Sequence, residues 1–194
     1  MIYLLRHGQT EFNRDGRIQG QRDSTLTALG RRQAQAMAAL LAHLTAGEPG
    51  WRLVSSPLGR TMATAEFVGR ALKLPIEPDP RLMEVGCGAW EGLLRSDLIV
   101  RHPEAFATRE WFFAGPGAET YDQVMSRVAG WLGDQPPEPR RLIVVSHGVA
   151  GRLLRGAYAG LSRGETNNQA VPQDAVFRLN DGRIERIAVE PVEA

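Results

Sequence analysis

Two short apolar runs, Met1-Ile2-Tyr3-Leu4-Leu5 and Leu142-Ile143-Val144-Val145, end alike: the first delivers Arg6-His7-Gly8-Gln9-Thr10 and the second Ser146-His147-Gly148. A run of this kind, bounded by polar residues and glycine, reads as a strand buried on both faces, the type found in a parallel sheet. In open α/β sheets, ligands bind beyond the carboxyl ends of the strands. Two of the chain's four histidines, His7 and His147, are therefore expected to point into one crevice.

The segments between these strands carry the helices such a sheet needs. Thr27 is placed as the N-cap of a helix with Leu29, Met37, Leu40, Leu41 and Leu44 on one face and Gln33 as that face's polar interruption. Trp51 to Ser55 reads as a second strand, followed by Ser56 as N-cap and Pro57 as first residue of a helix running to about Leu72. Pro75-Ile76-Glu77 reads as a short strand and Arg81 to Val85 as extended chain. Between Gly86 and Pro116 no single period dominates, although Ser96 to Arg101 and Glu104 to Phe113 have helical composition. Residues 93–117 are accordingly expected to be an insertion lying over the site as a lid. Thr120 caps a further helix with Val124, Val128, Trp131 and Leu132 on its apolar side, ended by the Pro-rich segment 136–139, and another helix starts at Gly148. Ala175 to Leu179 and Ile184 to Val189 flank Asn180-Asp181-Gly182, a hairpin signal that makes one sheet edge antiparallel. The expected fold is a single α/β domain over residues 1–194: a three-layer α/β/α sandwich whose sheet is mostly parallel with an antiparallel edge strand.

A formal net charge of +1 over 194 residues supplies no bulk attraction to nucleic acid or to a membrane surface, so affinity for an anion must come from local clusters. The N-terminal apolar run is cut by Arg6, too short for a signal sequence or a membrane span, which makes a cytoplasmic location the expectation. One cysteine, Cys87, excludes an internal disulfide and a cysteine-rich zinc site.

An arginine beside a histidine at a strand end has a clear use if the ligand is a phosphate: the guanidinium offers bidentate, charge-assisted hydrogen bonds and a neutral imidazole offers a lone pair to phosphorus. Gly8 would let backbone approach the ligand. The tripeptide alone equally fits a hydrogen-bonded core histidine beside a surface arginine. Two histidines with scattered carboxylates could also bind a metal, but the spacing matches no HExxH or similar compact motif.

The wider context of His7, Arg6-His7-Gly8-Gln9-Thr10-Glu11-Phe12-Asn13, resembles the nucleophile motif of the histidine phosphatase (phosphoglycerate mutase-like) superfamily, and four further segments agree in order. These are Gln19-Gly20 with Asp23 and Leu26-Thr27-Ala28-Leu29-Gly30; Ser55 to Ala65 around Arg60; Leu82-Met83-Glu84 with Gly88-Ala89-Trp90-Glu91-Gly92; and Ser146-His147-Gly148. Gly117-Ala118-Glu119-Thr120 is a weaker match. The resemblance implies metal-independent hydrolysis of small phosphomonoesters, with no cofactor, through a phosphohistidine on His7. It gives Glu84 the general-acid role and His147 a catalytic one, and it makes Arg6, Asn13, Gln19, Gly20, Arg60 and Gly148 the phosphate cradle. The stretch after Glu84 and the short chain resemble the phosphatase branch; phosphoryl transfer of the mutase type and a silent phosphate-ester-binding module are the alternatives. Val149 and Ser24-Thr25 stand where relatives often have glycine and proline. His7 attack requires a neutral ring whose other nitrogen is held by a carbonyl, for which Gly8 is the candidate. Glu91 is read as structural, and His43 and His102 as ordinary surface or capping residues. Phe106 and Trp111-Phe112-Phe113 are read either as an aromatic lid on substrate or as the insertion's own small core.

Overall fold

The computed structural model describes residues 1–137 and 140–189. In chain order the elements are β1 (Ile2–Arg6), α1 (Glu11–Arg14), α2 (Ala28–Leu44), β2 (Arg52–Ser55), α3 (Gly59–Leu72), β3 (Ile76–Pro78), α4 (Arg95–Arg101) and α5 (Pro103–Phe106). They continue with α6 (Tyr121–Gly133), β4 (Leu142–Ser146), α7 (Gly148–Ala159), α8 (Arg163–Asn168), β5 (Ala175–Asn180) and β6 (Arg183–Ala188). Residues 138 and 139 of the Pro-rich segment expected to end α6 lie outside the described residues.

The six strands form one sheet in the order β3-β2-β4-β1-β5-β6. Strands β1 to β4 are mutually parallel, whereas β5 runs antiparallel to β1 and β6 antiparallel to β5. The β1 and β4 runs are buried almost throughout, as their unbroken apolar character requires, and their alternating side chains feed two separate cores. Ile2, Leu4, Leu142 and Val144 join Val124, Val128, Trp131, Leu153 and Leu154 of α6 and α7 on one face. Tyr3, Leu5, Ile143 and Val145 join Met37, Leu41, Ala65 and Val68 of α2 and α3 on the other. The expected mostly parallel α/β sandwich with an antiparallel edge is what forms. That edge is closed by a two-residue turn in which Asp181 and Gly182 both have positive φ, the geometry that matches strand twist.

The start of α3 departs from expectation. The helix opens at Gly59 with Leu58 as N-cap and no side-chain cap of its own; Asp23, from the loop after β1, accepts from the Gly59 N–H at 2.5 Å instead. A cap supplied from elsewhere leaves the Ser56 hydroxyl for other work. Two smaller departures follow the same logic of local side-chain capture. Asp79 accepts from the Arg81 N–H and tightens Pro80–Leu82 into a 3-10 turn, so extended chain begins only after it. The helical composition of 104–113 is used in α5 and in a 3-10 turn at Trp111–Phe113, with a break where the Glu110 carboxylate is drawn to Arg163 and Asn167. Among the described residues no helix is long and apolar enough to cross a membrane.

Gly8 and Gly30 lock the N-terminus of α2 against the segment after β1. A Cβ on Gly8 would lie 2.1 Å from the Gly30 carbonyl oxygen, and one on Gly30 would lie 2.0 Å from the Gln9 carbonyl oxygen. Backbone packing alone thus requires glycine at position 8, a constraint separate from the approach to a ligand expected of it. Gln33, the polar interruption on α2, accepts from the Gln9 N–H at 2.8 Å and helps to hold the same contact. Gly8→Ala should lower unfolding free energy by about 3 kcal/mol, the upper range for over-packing against a part that cannot yield, as read by equilibrium urea denaturation.

Candidate active site

The register of β1 on β4 pairs Arg6 with Ser146, so the residues that follow, His7 and His147, leave adjacent central strands side by side. Their ring centroids are 5.3 Å apart at an interplanar angle of 62°, and each residue is only 2% exposed. His7 Nδ1 lies 2.8 Å from the Gly8 carbonyl oxygen. A carbonyl can only accept, so Nδ1 carries the hydrogen and the Nε2 lone pair is free. His147 Nε2 lies 2.8 Å from Ser56 Oγ, the hydroxyl that α3 does not use, and its Nδ1 is buried without a partner.

Both imidazoles hold their protonated forms well below the ordinary histidine range. Burial is the main cause for each; Arg6 and Arg60 repel a second positive charge at His7, and Arg60, His7 and Arg6 do so at His147. His147 is therefore neutral near pH 7 and offers a ring N–H or lone pair, not a charge.

Arg60 is 2% exposed, yet its guanidinium is anchored on three sides. Nη1 donates to the Arg22 carbonyl at 2.8 Å and to Asp23 Oδ1 at 2.9 Å, and Nη2 donates to the Gly20 carbonyl at 2.6 Å. Arg6 Nη1 donates to the Val171 carbonyl at 2.8 Å. The Nε atoms of both arginines are buried without a partner. A Cβ on Gly148 would stand 3.6 Å from Arg6 Nε and from Glu84 Oε2, so it is the bare Cα of this residue that faces the charged groups.

Glu84 reaches the N-terminus of α7. Its Oε1 accepts from the Val85 and Ala150 N–H groups at 3.0 and 2.9 Å, and its Oε2 accepts from the Val149 N–H at 3.1 Å. The backbone behind it is strapped from α6: Arg127 donates to the carbonyls of Arg81, Met83 and Glu84 while pairing with Glu119 at 3.0 Å. Gln21 donates to the Glu84 carbonyl as well. The Glu91 carboxylate accepts from the Gln21 and Cys87 N–H groups, and it fills the space a Cβ on Gly20 would need.

Asn13 and Gln19 line the same cavity within one hydrogen-bonded network. Asn13 Oδ1 accepts from the Thr10 N–H and from Gln173 Nε2, and Gln19 Oε1 accepts from Thr10 Oγ1 at 3.0 Å. A cavity of about 360 Å³ is lined by Arg6, His7, Asn13, Gln19, Gly20, Arg60 and Glu84, with Arg17, Arg95, Trp111 and Phe112 toward its mouth. His147 and Gly148 lie against this set and not on the cavity wall itself. The structure thus brings together all nine residues singled out in the sequence. Reasoning from sequence missed Ser56 as a partner of His147, Gln173 as the holder of Asn13, and Arg127 as the strap behind Glu84.

The model of the histidine phosphatase superfamily, branch 1, matches residues 2–183. The chain belongs to this superfamily. Among curated proteins, this histidine phosphatase superfamily member is 36% identical over 170 residues to a probable phosphoglycerate mutase GpmB of Proteus mirabilis, covering 82% of the chain and 75% of the relative. Among solved structures it is similar to a mycobacterial glucosyl-3-phosphoglycerate phosphatase in complex with VO3, at 29% identity and TM-score 0.79, covering 100% of this chain and 98% of that one. It is similar also to a putative alpha-ribazole-5'-P phosphatase of Escherichia coli, at 25% identity and TM-score 0.79, covering 97% and 94%. Family membership therefore supports a phosphatase or a mutase.

The depressed histidines set a pH dependence of stability. An unfolded chain takes up protons on both rings as pH falls through about 6.5, while the folded chain does not, so stability conferred by the neutral rings is full above that pH and is lost below it. Each ring should contribute up to about 1.4 kcal/mol of lost stability per pH unit. Thermal melts of the wild type between pH 7 and pH 5 should fall more steeply than those of His147→Asn.

Proposed function

We propose that the chain hydrolyses small-molecule phosphomonoesters by way of a phosphohistidine on His7, without a metal ion. The observation that carries this reading is the His7 tautomer: Nδ1–H is spent on the Gly8 carbonyl, and the bare Nε2 belongs to a residue lining a cavity that is also lined by Arg6 and Arg60, each with a buried, unpartnered Nε. Nε2 forms a bond to phosphorus as the ester P–O bond breaks in line with it. The transferring phosphoryl group spreads negative charge over its equatorial oxygens, which the fixed charges of Arg6 and Arg60 stabilise. The unpaired Nε–H of each arginine is the donor it keeps for that oxygen set. His147 adds a neutral N–H at Nδ1 while the Ser56 hydroxyl donates to Nε2.

Glu84 supplies the proton that the departing alkoxide needs and then takes one from the water that attacks the phosphohistidine, releasing inorganic phosphate and restoring free His7. Its Oε2, with one backbone donor, retains the lone-pair direction on which that proton is carried. The N-terminus of α7 orients the carboxyl group throughout. Phosphoryl return to an isomeric acceptor is the second reading, favoured by the identity to a probable phosphoglycerate mutase; it differs only in whether water or substrate receives the group from His7.

Phosphate release from a panel of phosphosugars, phosphoglycerates, α-ribazole phosphate and p-nitrophenyl phosphate should persist in EDTA. It should fall by at least about a thousandfold in His7→Ala, and rapid quenching after mixing with labelled substrate should trap an acid-labile phosphoenzyme in the wild type. Glu84→Gln should slow alkyl esters by roughly a hundredfold or more but spare the first-turnover burst of p-nitrophenol from p-nitrophenyl phosphate, whose leaving group needs no proton, while steady-state turnover slows because the attacking water still loses its base. Loss of turnover in EDTA with recovery on adding zinc or manganese, or isomer formation without phosphate release, would displace the hydrolytic reading.

A further inference from the structure

Residues 169–173, the link between α8 and β5, pass the end of β1 and are held there by side chains from two other elements. The Ala170 carbonyl accepts from Arg155 Nη2 of α7 at 2.7 Å, and the Val171 carbonyl accepts from Arg6 Nη1 at 2.8 Å. Pro172 brings no N–H that would need a partner. Gln173, half-buried, then turns its amide back into the site: Nε2 lies 3.1 Å from the His7 carbonyl oxygen and 3.0 Å from Asn13 Oδ1. The sequence motifs that mark the site end at Gly148, so this residue lies outside them.

A terminal amide keeps its shape when turned by 180°, so its partners alone decide which side carries the N–H groups. The His7 carbonyl can only accept, which makes the atom facing it the Gln173 amino nitrogen. The second hydrogen of that nitrogen meets Asn13, and the Asn13 atom it meets also takes the Thr10 N–H at 3.2 Å. Two donors converge on that atom, so it is the amide oxygen. The Asn13 amino group is thereby turned away from both, with one contact to Gln19 Oε1 at 3.5 Å, the outer limit of a hydrogen bond. Asn13 lines the cavity beside His7, and what its amide has left to give there is N–H. The Thr10 bond belongs to the capping box of α1 and fixes which way the amide faces. The Gln173 bond fixes where it stands, because the same nitrogen is tied to the peptide of His7 itself.

We propose that Gln173 is a positioning residue for phosphate recognition: by bridging the His7 carbonyl and Asn13 Oδ1, it sets the Asn13 amino group as a hydrogen-bond donor to the phosphoryl oxygens at a fixed distance from the nucleophile. The phosphate at His7 rests on the phosphatase reading above. Gln173 touches no substrate atom and acts through Asn13. Without it the Asn13 oxygen keeps a single donor, Thr10, and the amino group loses its fixed place relative to Nε2 of His7. Turned over, the amide would present a lone pair to an anion, which repels it, and would set N–H against the Thr10 N–H. The link from α8 to β5 thus serves the anion seat twice, with the Val171 carbonyl holding Arg6 and the Gln173 amide holding Asn13.

The test is a double-mutant cycle read by titration calorimetry with inorganic phosphate, a probe that needs no turnover. Asn13→Ala should weaken binding roughly 10- to 100-fold, the range for a hydrogen bond to a charged group. Gln173→Met, which keeps the length of the side chain and removes its donors, should weaken binding roughly 3- to 10-fold, the range for a neutral hydrogen bond. In the Asn13→Ala background the same Gln173→Met change should cost less than about twofold, because the residue through which it acts is gone. Gln173→Asn, which keeps the amide but shortens its reach, should show the same pattern and serves if the methionine variant does not fold. A glutamine that only braced the chain would weaken binding by the same factor with or without Asn13, and that result would overturn the proposal. So would phosphate binding unchanged in Gln173→Met, or a wild type that binds no phosphate. A non-additive cycle in a protein that releases phosphate from no ester would remove the hydrolytic reading and leave the role of Gln173 standing.

Discussion

The half-buried Arg6, the buried Arg60 and two buried imidazoles surround one cavity, and among the described residues Glu84 is the one carboxylate that lines it with them. Concentrated positive charge away from water is unfavourable, and the molecule answers it differently for each residue type. The histidines respond by releasing protons. The arginines cannot, so they are tied to backbone carbonyls: Arg6 to Val171, Arg60 to Gly20 and Arg22, with Asp23 as the one direct counter-charge on Arg60. These carbonyls lie in loops distant in sequence, and holding the charges is what draws those loops together over the strand ends.

The sheet and the loops contribute unequal kinds of precision. Adjacent parallel pairing of β1 and β4 places the two imidazoles with no help from side chains, because residues in equivalent register must leave the sheet together. Every other polar group is positioned by hydrogen bonds from a second segment: Ser56 for His147, Gln173 for Asn13, and the Arg127 and Glu119 pair on the backbone behind Glu84. Of the two readings of the aromatic residues, the small core is the one their contacts describe. Trp90, Phe106, Trp111 and Phe112 form one stacked series that packs on the core of α6 and α7, while its last two rings face the cavity.

Periodicity made the central strands, the capped helices α2 and α6 and the terminal hairpin legible, since each is dictated by burial of one face or by a turn requiring positive φ. The motifs around His7, Arg60, Glu84 and His147 marked the site because they preserve whole clusters of residues. What stayed hidden was everything decided across space. Nothing in the segment Ser56-Pro57-Leu58 announces that its helix is capped by Asp23, and nothing in Arg127, on a helix otherwise read for its apolar face, announces a bond to the Glu84 carbonyl. Likewise, nothing in the neighbours of Gly8 in sequence announces that it packs against Gly30, a residue in another element.

Asp23 accepts from the first N–H groups of α3 and at the same time from the guanidinium of Arg60 within that helix. The loop that carries Asp23 also presents the Gly20 and Arg22 carbonyls to the same guanidinium. Docking of this loop and completion of the α3 first turn are consequently one cooperative event: a partly folded chain with the loop detached would fray the helix and scatter its cation together, so a half-assembled anion seat is not a state the molecule can populate stably.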